Sequence, residues 1–311
     1  MSNKSAFPIT PELTAVALAY RNKNHIADAV LPRVLVGSQT FKYFKFDKGQ
    51  LLTIPDTKVG RTSSPNKIEF RATEVESSTH DYGLEDPVPN SDIINAPANY
   101  SPLMYATEGL TDLIALDREK RASDLVFNAS NYDAACKRTL ATSEQFNDFI
   151  ASDPLEVILN ALKSMIMRGN IMVIGRDVFT MLCRHPKVVK TVNRNSGDSG
   201  VARREEIAQI FELEQVLVGE SWYNTSNKGQ DVVLGSIWGK HIALLYRDLV
   251  AKGQRSRPTF GITAQFGSKI AGSEYDKSIG LRGGEMVRVG ESVKEVICAN
   301  DLGYFIENAV A

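Results

Sequence analysis

The residues with the clearest potential for chemistry are Gly197-Asp198-Ser199-Gly200. This is the form of a serine-protease nucleophile segment, in which backbone N–H groups hold a developing oxyanion. Such a serine needs a positioned base and an acid to orient that base. Val201 stands where a further glycine belongs, and His25, His80, His185 and His241 are scattered and lack a catalytic histidine's Ala and Cys neighbours. The segment therefore reads as a polar turn within a flexible loop over 193–200. Gly60 to Lys67 has the reach of a phosphate loop. Pro65 and Asn66 displace its second glycine, however, and Ile68 replaces the hydroxyl that would hold magnesium. Glu74, Glu76, Asp81, Glu85 and Asp86 could supply acid–base pairs. On a strand and turn they read as a solvated face. Lys252, Arg255 and Arg257 beside Pro258 read as a solvated basic loop, with an interface or DNA-facing role as the alternative. Trp222, Tyr223 and Trp238 read as core or subunit-interface anchors rather than a ligand cage. Cys136, Cys183 and Cys298 are odd in number, widely spaced and without a CxxC, so neither disulfides nor structural zinc are indicated. No catalytic, cofactor-binding or metal-binding set emerges.

Bulk properties are those of an ordinary globular chain. The 311 residues are 43% apolar and 23% charged, enough for one large core or two modest ones. Lys plus Arg number 36 against 37 for Asp plus Glu, which argues against a protein whose affinity comes from coating phosphates. Nothing approaches 18 consecutive apolar residues and the start carries no signal-peptide run, so a soluble protein made in the cytoplasm is expected.

The elements that would position these residues are mixed helix and strand. Leu13, Val16, Ala17 and Tyr20 predict a short helix over 12–23, and Pro32 ends any helix formed around Ile26, Val30 and Leu31. Residues 40–46 read as an aromatic strand. Residues 47–66, with Gly49, Pro55, Gly60 and Pro65, read as the long tip of a two-stranded loop that returns through Ile68, Phe70, Ala72 and Val75. The clearest helix is 102–129. Ser101 can cap it, Pro102 opens it, and Asp117 to Arg121 supply a charged outer face. Gly109 in its middle costs about 1 kcal/mol, which suggests a close backbone approach or a bend. Further helices are expected at 154–168, 177–184 (ending before Pro186) and 203–211. Strands are expected at 171–174, 215–218, 232–234, 242–246, 286–289, 295–299 and 304–307.

In this order the pieces resemble the major capsid proteins of tailed bacteriophages. The resemblance rests on Tyr20-Arg21-Asn22, on residues 26–32 (IADAVLP) and on residues 41–46 leading into the loop. It rests too on Tyr82-Gly83-Leu84-Glu85-Asp86 before the long helix, His185-Pro186, Val218-Gly219 and Ile237-Trp238-Gly239. It spans nearly the whole chain through motifs that are individually short.

The resemblance implies an α+β capsid fold shared with encapsulins. Residues 1–46 would be an N-terminal arm, 47–81 an extended loop lying on a neighbouring subunit, and 82–153 a peripheral domain with its spine helix at 102–129. An axial domain would span 154–275, and 276–311 would return as strands to the peripheral sheet. Arm and loop would need neighbours to bury their apolar residues. The function implied is structural: copies form hexamers and pentamers of an icosahedral shell around double-stranded DNA, made in the bacterial host cytoplasm. Met1 lies about a dozen residues before the arm, so a separate scaffold protein is expected beside a portal, with a decoration protein as a further partner and no membrane contact. No residue matches the Lys–Asn crosslinking of some relatives. The alternatives are an encapsulin-type compartment and, from another class, a hydrolase with a spatially assembled site.

Overall fold

The computed structural model describes residues 7–45, 54–67, 73–193, 200–227, 229–249 and 258–311. The chain begins with helix Pro11–Ala19 and a single turn, Ala27–Val30, and continues into β1 (Arg33–Val36) and β2 (Thr40–Lys45). β3 (Thr73–Ser78) pairs antiparallel with β2, so 40–45 and 73–78 form the root of the expected two-stranded loop. β4 (His80–Pro89) leads through a short helix, Asn90–Ile94, into the spine helix Pro102–Val126. Ser101 caps the spine helix by accepting from the Met104 N–H, and its 25 residues span about 38 Å. Beyond β5 (Lys137–Thr139), helix Pro154–Ser164 starts from an Asp153 cap. Then come β6 (Ile171–Gly175), helices Arg176–Arg184, Pro186–Asn193 and Arg204–Ile210, and β7 (Gln215–Gly219). A small hairpin of β8 (Trp222–Asn224) and β9 (Leu234–Ser236) precedes β10 (Ile242–Leu245). The chain closes with β11 (Gly261–Asp276), β12 (Gly284–Ile297) and β13 (Gly303–Glu307).

Two larger sheets organise these pieces. One runs β1-β11-β12-β4, with β1 parallel to β11 and the other pairs antiparallel. Leu110 and Ile114 of the spine helix, Leu13 and Ala17 of the first helix, and Val287 and Val289 of β12 form one core on this sheet. The other sheet runs β5-β13-β10-β6-β7. β6 and β10 are buried throughout, which is why their sequences are continuous apolar runs without alternation. Helices Pro154–Ser164, Arg176–Arg184 and Pro186–Asn193 cover one face of this sheet around Phe146, Leu182 and Phe211. The end of the spine helix, Trp238 and Val30-Leu31 cover the other.

Sheet membership divides the chain differently from the expected boundaries. β11, placed with the axial part, lies in the spine-helix sheet, while β13 and β5 join the five-stranded sheet. The predicted strand 286–289 and most of 295–299 fall in one long strand, β12, which ends at Ile297. The first helix ends at Ala19, the spine helix at Val126 and the helix after Asp153 at Ser164, each short of its prediction. The 232–234 strand lies at Leu234–Ser236. Pro186, expected only to stop a helix, opens the next one, where its missing N–H costs nothing.

Three further expectations are corrected. The arm's Leu13, Ala17, Val30 and Leu31 are buried within their own chain, at 5%, 0%, 2% and 0% exposure, so they need no neighbour. Arg118 and Glu119 of the expected charged outer face are 3% and 0% exposed. A side-chain carbon at Gly109 would meet nothing within 4 Å, so the subunit itself supplies no close approach there.

Candidate functional site

The most developed polar constellation lies where residues 20–36 cross the spine helix. Glu119 accepts from the Ile26 N–H on one oxygen and the Ala27 N–H on the other, both at 2.8 Å, and from Trp238 Nε1 at 2.6 Å. A fully buried carboxylate is tolerable there because three donors replace its water. One turn of backbone and an indole are thereby pinned to one side chain. Beside it Arg118 binds Asp28 and reaches Thr263 Oγ1 at 3.0 Å, while the Thr263 hydroxyl donates to Leu31 O at 3.0 Å. Arg33 bridges Asp28 and Glu291, each at 2.7 Å. Burial alone would raise the Asp28 carboxyl, but the Arg118 and Arg33 guanidiniums overcome it and hold the group below its ordinary value. Arg121 adds a 2.8 Å pair with Glu295 and lies 3.7 Å above the Tyr82 ring. A cleft of about 460 Å³ at this junction is lined by Asp28, Arg33, Arg118 and Glu119 together with Tyr20 and Lys269. Asp28, Arg33 and Arg118 pair with one another there and Glu119 holds arm backbone, so the cleft fastens the arm.

Trp238 completes this junction because Gly219 leaves room for it. A Cβ at Gly219 would stand 2.1 Å from the indole Cγ. That accounts for the Val218-Gly219 and Ile237-Trp238-Gly239 motifs as one packing contact. Trp222, by contrast, is 56% exposed, beside Val232, Val233 and Leu234 on the β8–β9 hairpin.

The chemistry weighed from sequence does not gather. Gly197, Asp198 and Ser199 lie outside the described residues, as do Lys252, Arg255, Arg257 and Ile68; Gly200 is described and has φ +146°. Gly60 to Lys67 is an exposed turn. In the acidic set, Glu85 pairs with Arg288, Asp81 accepts from Ser292 and Glu74 meets Lys42 at 3.4 Å, so these carboxylates are distributed along two strands. His80 is exposed, and His241 packs against Phe127 and Phe305.

A buried serine–histidine contact does exist, between Ser152 Oγ and His185 Nε2 at 3.1 Å. The Ser152 hydroxyl donates to Asp148 O at 2.6 Å, and His185 Nδ1 accepts from the Lys187 N–H at 3.3 Å. Nε2 therefore carries the imidazole proton toward the serine. This is the reverse of general-base activation, and the pair is a loop fastener. Cys183 and Cys298 are buried, and burial pushes their thiols up to about 11 and about 12, away from nucleophilic use. Among the described residues no group of three or more His, Cys, Asp or Glu could hold a metal ion, and no helix is long and apolar enough to cross a membrane.

Solved structures share this architecture. A phage-related protein from Bordetella bronchiseptica RB50 superposes with a TM-score of 0.77 over 98% of this chain and 99% of that one, at 20% identity. The capsid of Cyanophage P-SCSP1u matches at 0.60 over 99% and 91%, at 8% identity. At these identities the likeness establishes the fold alone. No protein-family model matches the chain. The deciding similarity is in sequence: the major capsid protein of Pseudomonas phage JBD67 is 54% identical over 311 residues, covering 100% of both chains. The chain belongs to the phage major capsid protein family.

For a capsid subunit the functional surfaces are those that other molecules can reach. Residues 54–67 of the extended loop are exposed except for half-buried Pro55. The loop is held narrow by Asn66 Nδ2 donating to Asp56 O at 2.9 Å. Sequence reasoning missed the arm junction of the capsid subunit. Its one available signal was the adjacent Arg118-Glu119 pair, which falls on the helix side that Ala122 and Val126 bury.

Proposed function

We propose that this capsid subunit assembles through hexamers and pentamers into an icosahedral shell enclosing double-stranded DNA, and that it performs no catalysis. Full-length similarity to a phage major capsid protein carries the reading. The near-neutral charge supports a wall that faces DNA without coating it. In this reading 54–67 lies across a neighbouring subunit, the five-stranded part surrounds the capsomer axis, and the β1-β11-β12-β4 sheet with the spine helix forms the periphery. A separate scaffold protein and a portal take part in assembly, a decoration protein is a further partner, and synthesis occurs in the host cytoplasm. The test is expression of the chain, then negative-stain imaging and native mass measurement. Capsomers or closed shells are the expected products; a small fixed oligomer as sole product overturns the proposal.

A further inference from the structure

Beside its paired groups, the cleft of about 460 Å³ at the arm junction is lined by three donor side chains that the described residues leave largely unused: Lys269, His25 and Arg21. Lys269 is half-buried, and among the described residues its ammonium has neither a hydrogen bond nor a carboxylate within ion-pair distance. Burial holds its pKa below the ordinary lysine value. Glu291 and Asp28 oppose this, while Arg33 and Arg21 add to it. The Nδ1 of His25 is buried and has no partner among the described residues. Exposed Arg21 makes a 3.4 Å hydrogen bond to the adjacent Tyr20 carbonyl.

The nearby carboxylates are already occupied. Asp28 is held by Arg33 and Arg118, Glu291 by Arg33 at 2.7 Å, and Glu119 by two backbone N–H groups and an indole. Lys269 stands on this lining where β11 is irregular. The pairing of β11 with β12 shifts between Phe266 and Ile270, and Gly267 takes φ +67°, which side-chain-bearing residues rarely adopt. A bulge of this kind re-aims a side chain and gives up ladder hydrogen bonds. A half-buried cation without a counterion is also unfavourable, and strand pairing by itself calls for neither.

We propose that this cleft is an oxyanion site of the phosphate class, with Lys269 as its main charge, Arg21 as a second and His25 as a hydrogen-bond donor through Nδ1. An ammonium is a compact point charge and a guanidinium a fork of donors, a combination suited to the several oxygens of a phosphate group. The volume lies in the range of small-ligand sites. Such a group has two sources, free phosphate and the backbone of duplex DNA, which share this chemistry.

The test is calorimetric titration of inorganic phosphate into the full chain at constant ionic strength, with thermal melts in phosphate and in chloride. The unaltered chain should bind saturably. Lys269→Met should weaken binding about tenfold, the worth of one charge-assisted hydrogen bond, and Lys269→Arg should retain it. In chloride Lys269→Met should melt no earlier than the unaltered chain, because it removes an unpaired cation. Phosphate also stabilises proteins by exclusion from their surface, but the variant shares that effect, so the difference between the two chains reports the site. Absence of saturable binding at millimolar phosphate, or equal binding by Lys269→Met, overturns the proposal. If Lys269→Met fails to fold, Arg21→Gln is the second variant. This exposed change should leave the melt unaltered and weaken phosphate binding about threefold, and unchanged binding overturns the proposal. A short duplex DNA separates the sources once phosphate binding is established: displacement of phosphate assigns the site to the DNA backbone, and undisturbed binding assigns it to the free ion.

Discussion

Glu119 shows how one side chain sets the course of the arm. Its oxygens satisfy two backbone N–H groups and an indole N–H that have no water to turn to. Glu119→Ala strands all three. The expected cost is about 3–5 kcal/mol, read as a lower denaturant midpoint with little change in slope. A change below about 1 kcal/mol would mean that the junction is dispensable.

His185 makes a second prediction at this scale. Burial lowers its pKa and Lys187 lowers it further; burial likewise lowers that of His241. A folded pKa below the unfolded value means that unfolding takes up protons. The stabilisation is therefore complete above the ordinary histidine value near 6.5 and is lost as pH falls through the lowered folded value. Calorimetry should show the melting temperature dropping between pH 7 and pH 5, and His185→Gln with His241→Gln should flatten that slope. An unaltered chain that melts at one temperature across the window would contradict the neutral buried imidazoles.

Among the elements, the first helix and the turn at Ala27–Val30 behave as parts of the fold. An arm whose apolar residues waited for neighbours could be deleted over 1–32 to leave soluble subunits unable to close shells. The burial of those residues changes that expectation. Deletion uncovers Ala271, Val287 and Val289 under the first helix and removes Val30 and Leu31 from the other core. It also takes the Ile26 and Ala27 N–H groups away from Glu119. Losing several buried side chains at about 2–3 kcal/mol each consumes the stability of an ordinary domain, so the truncated chain should aggregate or lack a cooperative melt. Circular dichroism melts decide this, and a truncated chain melting like the full one would return the arm to a role between subunits.

At the scale of the whole molecule the exposed loop is where fold and assembly separate. Arg61→Glu with Lys67→Glu touches no core residue, so its melt should match that of the unaltered chain. Each rim charge contributes about 0.2–1 kcal/mol, but a shell repeats the contact at every subunit, so small losses act together. Assembly should fail most at low salt, where repulsion between like charges is unscreened. Sedimentation across a salt series reads this out, and normal shells at low salt would place the loop away from any charged partner.

Local features were readable from the order of residues alone. Ser101-Pro102 and Asp153-Pro154 start helices, apolar runs such as 171–174 and 242–245 make buried strands, and the Gly- and Pro-bearing stretch 54–67 is an exposed loop. These are legible because capping, continuous burial and turn chemistry act over a few residues. The order of the pieces also carried the family. Pairing at a distance emerged only once the chain was folded. Strand β11 was not legible because its Gly267, Gly272, Ser268 and Ser273 interrupt the alternation, and its partners lie on β1 and β12. Arg118 and Glu119 looked solvated because helix periodicity does not reveal that a segment ninety residues earlier will cross above them and supply its donors. Charge marks a residue as surface only until a partner arrives from elsewhere in the chain, and contacts of that range leave no local pattern.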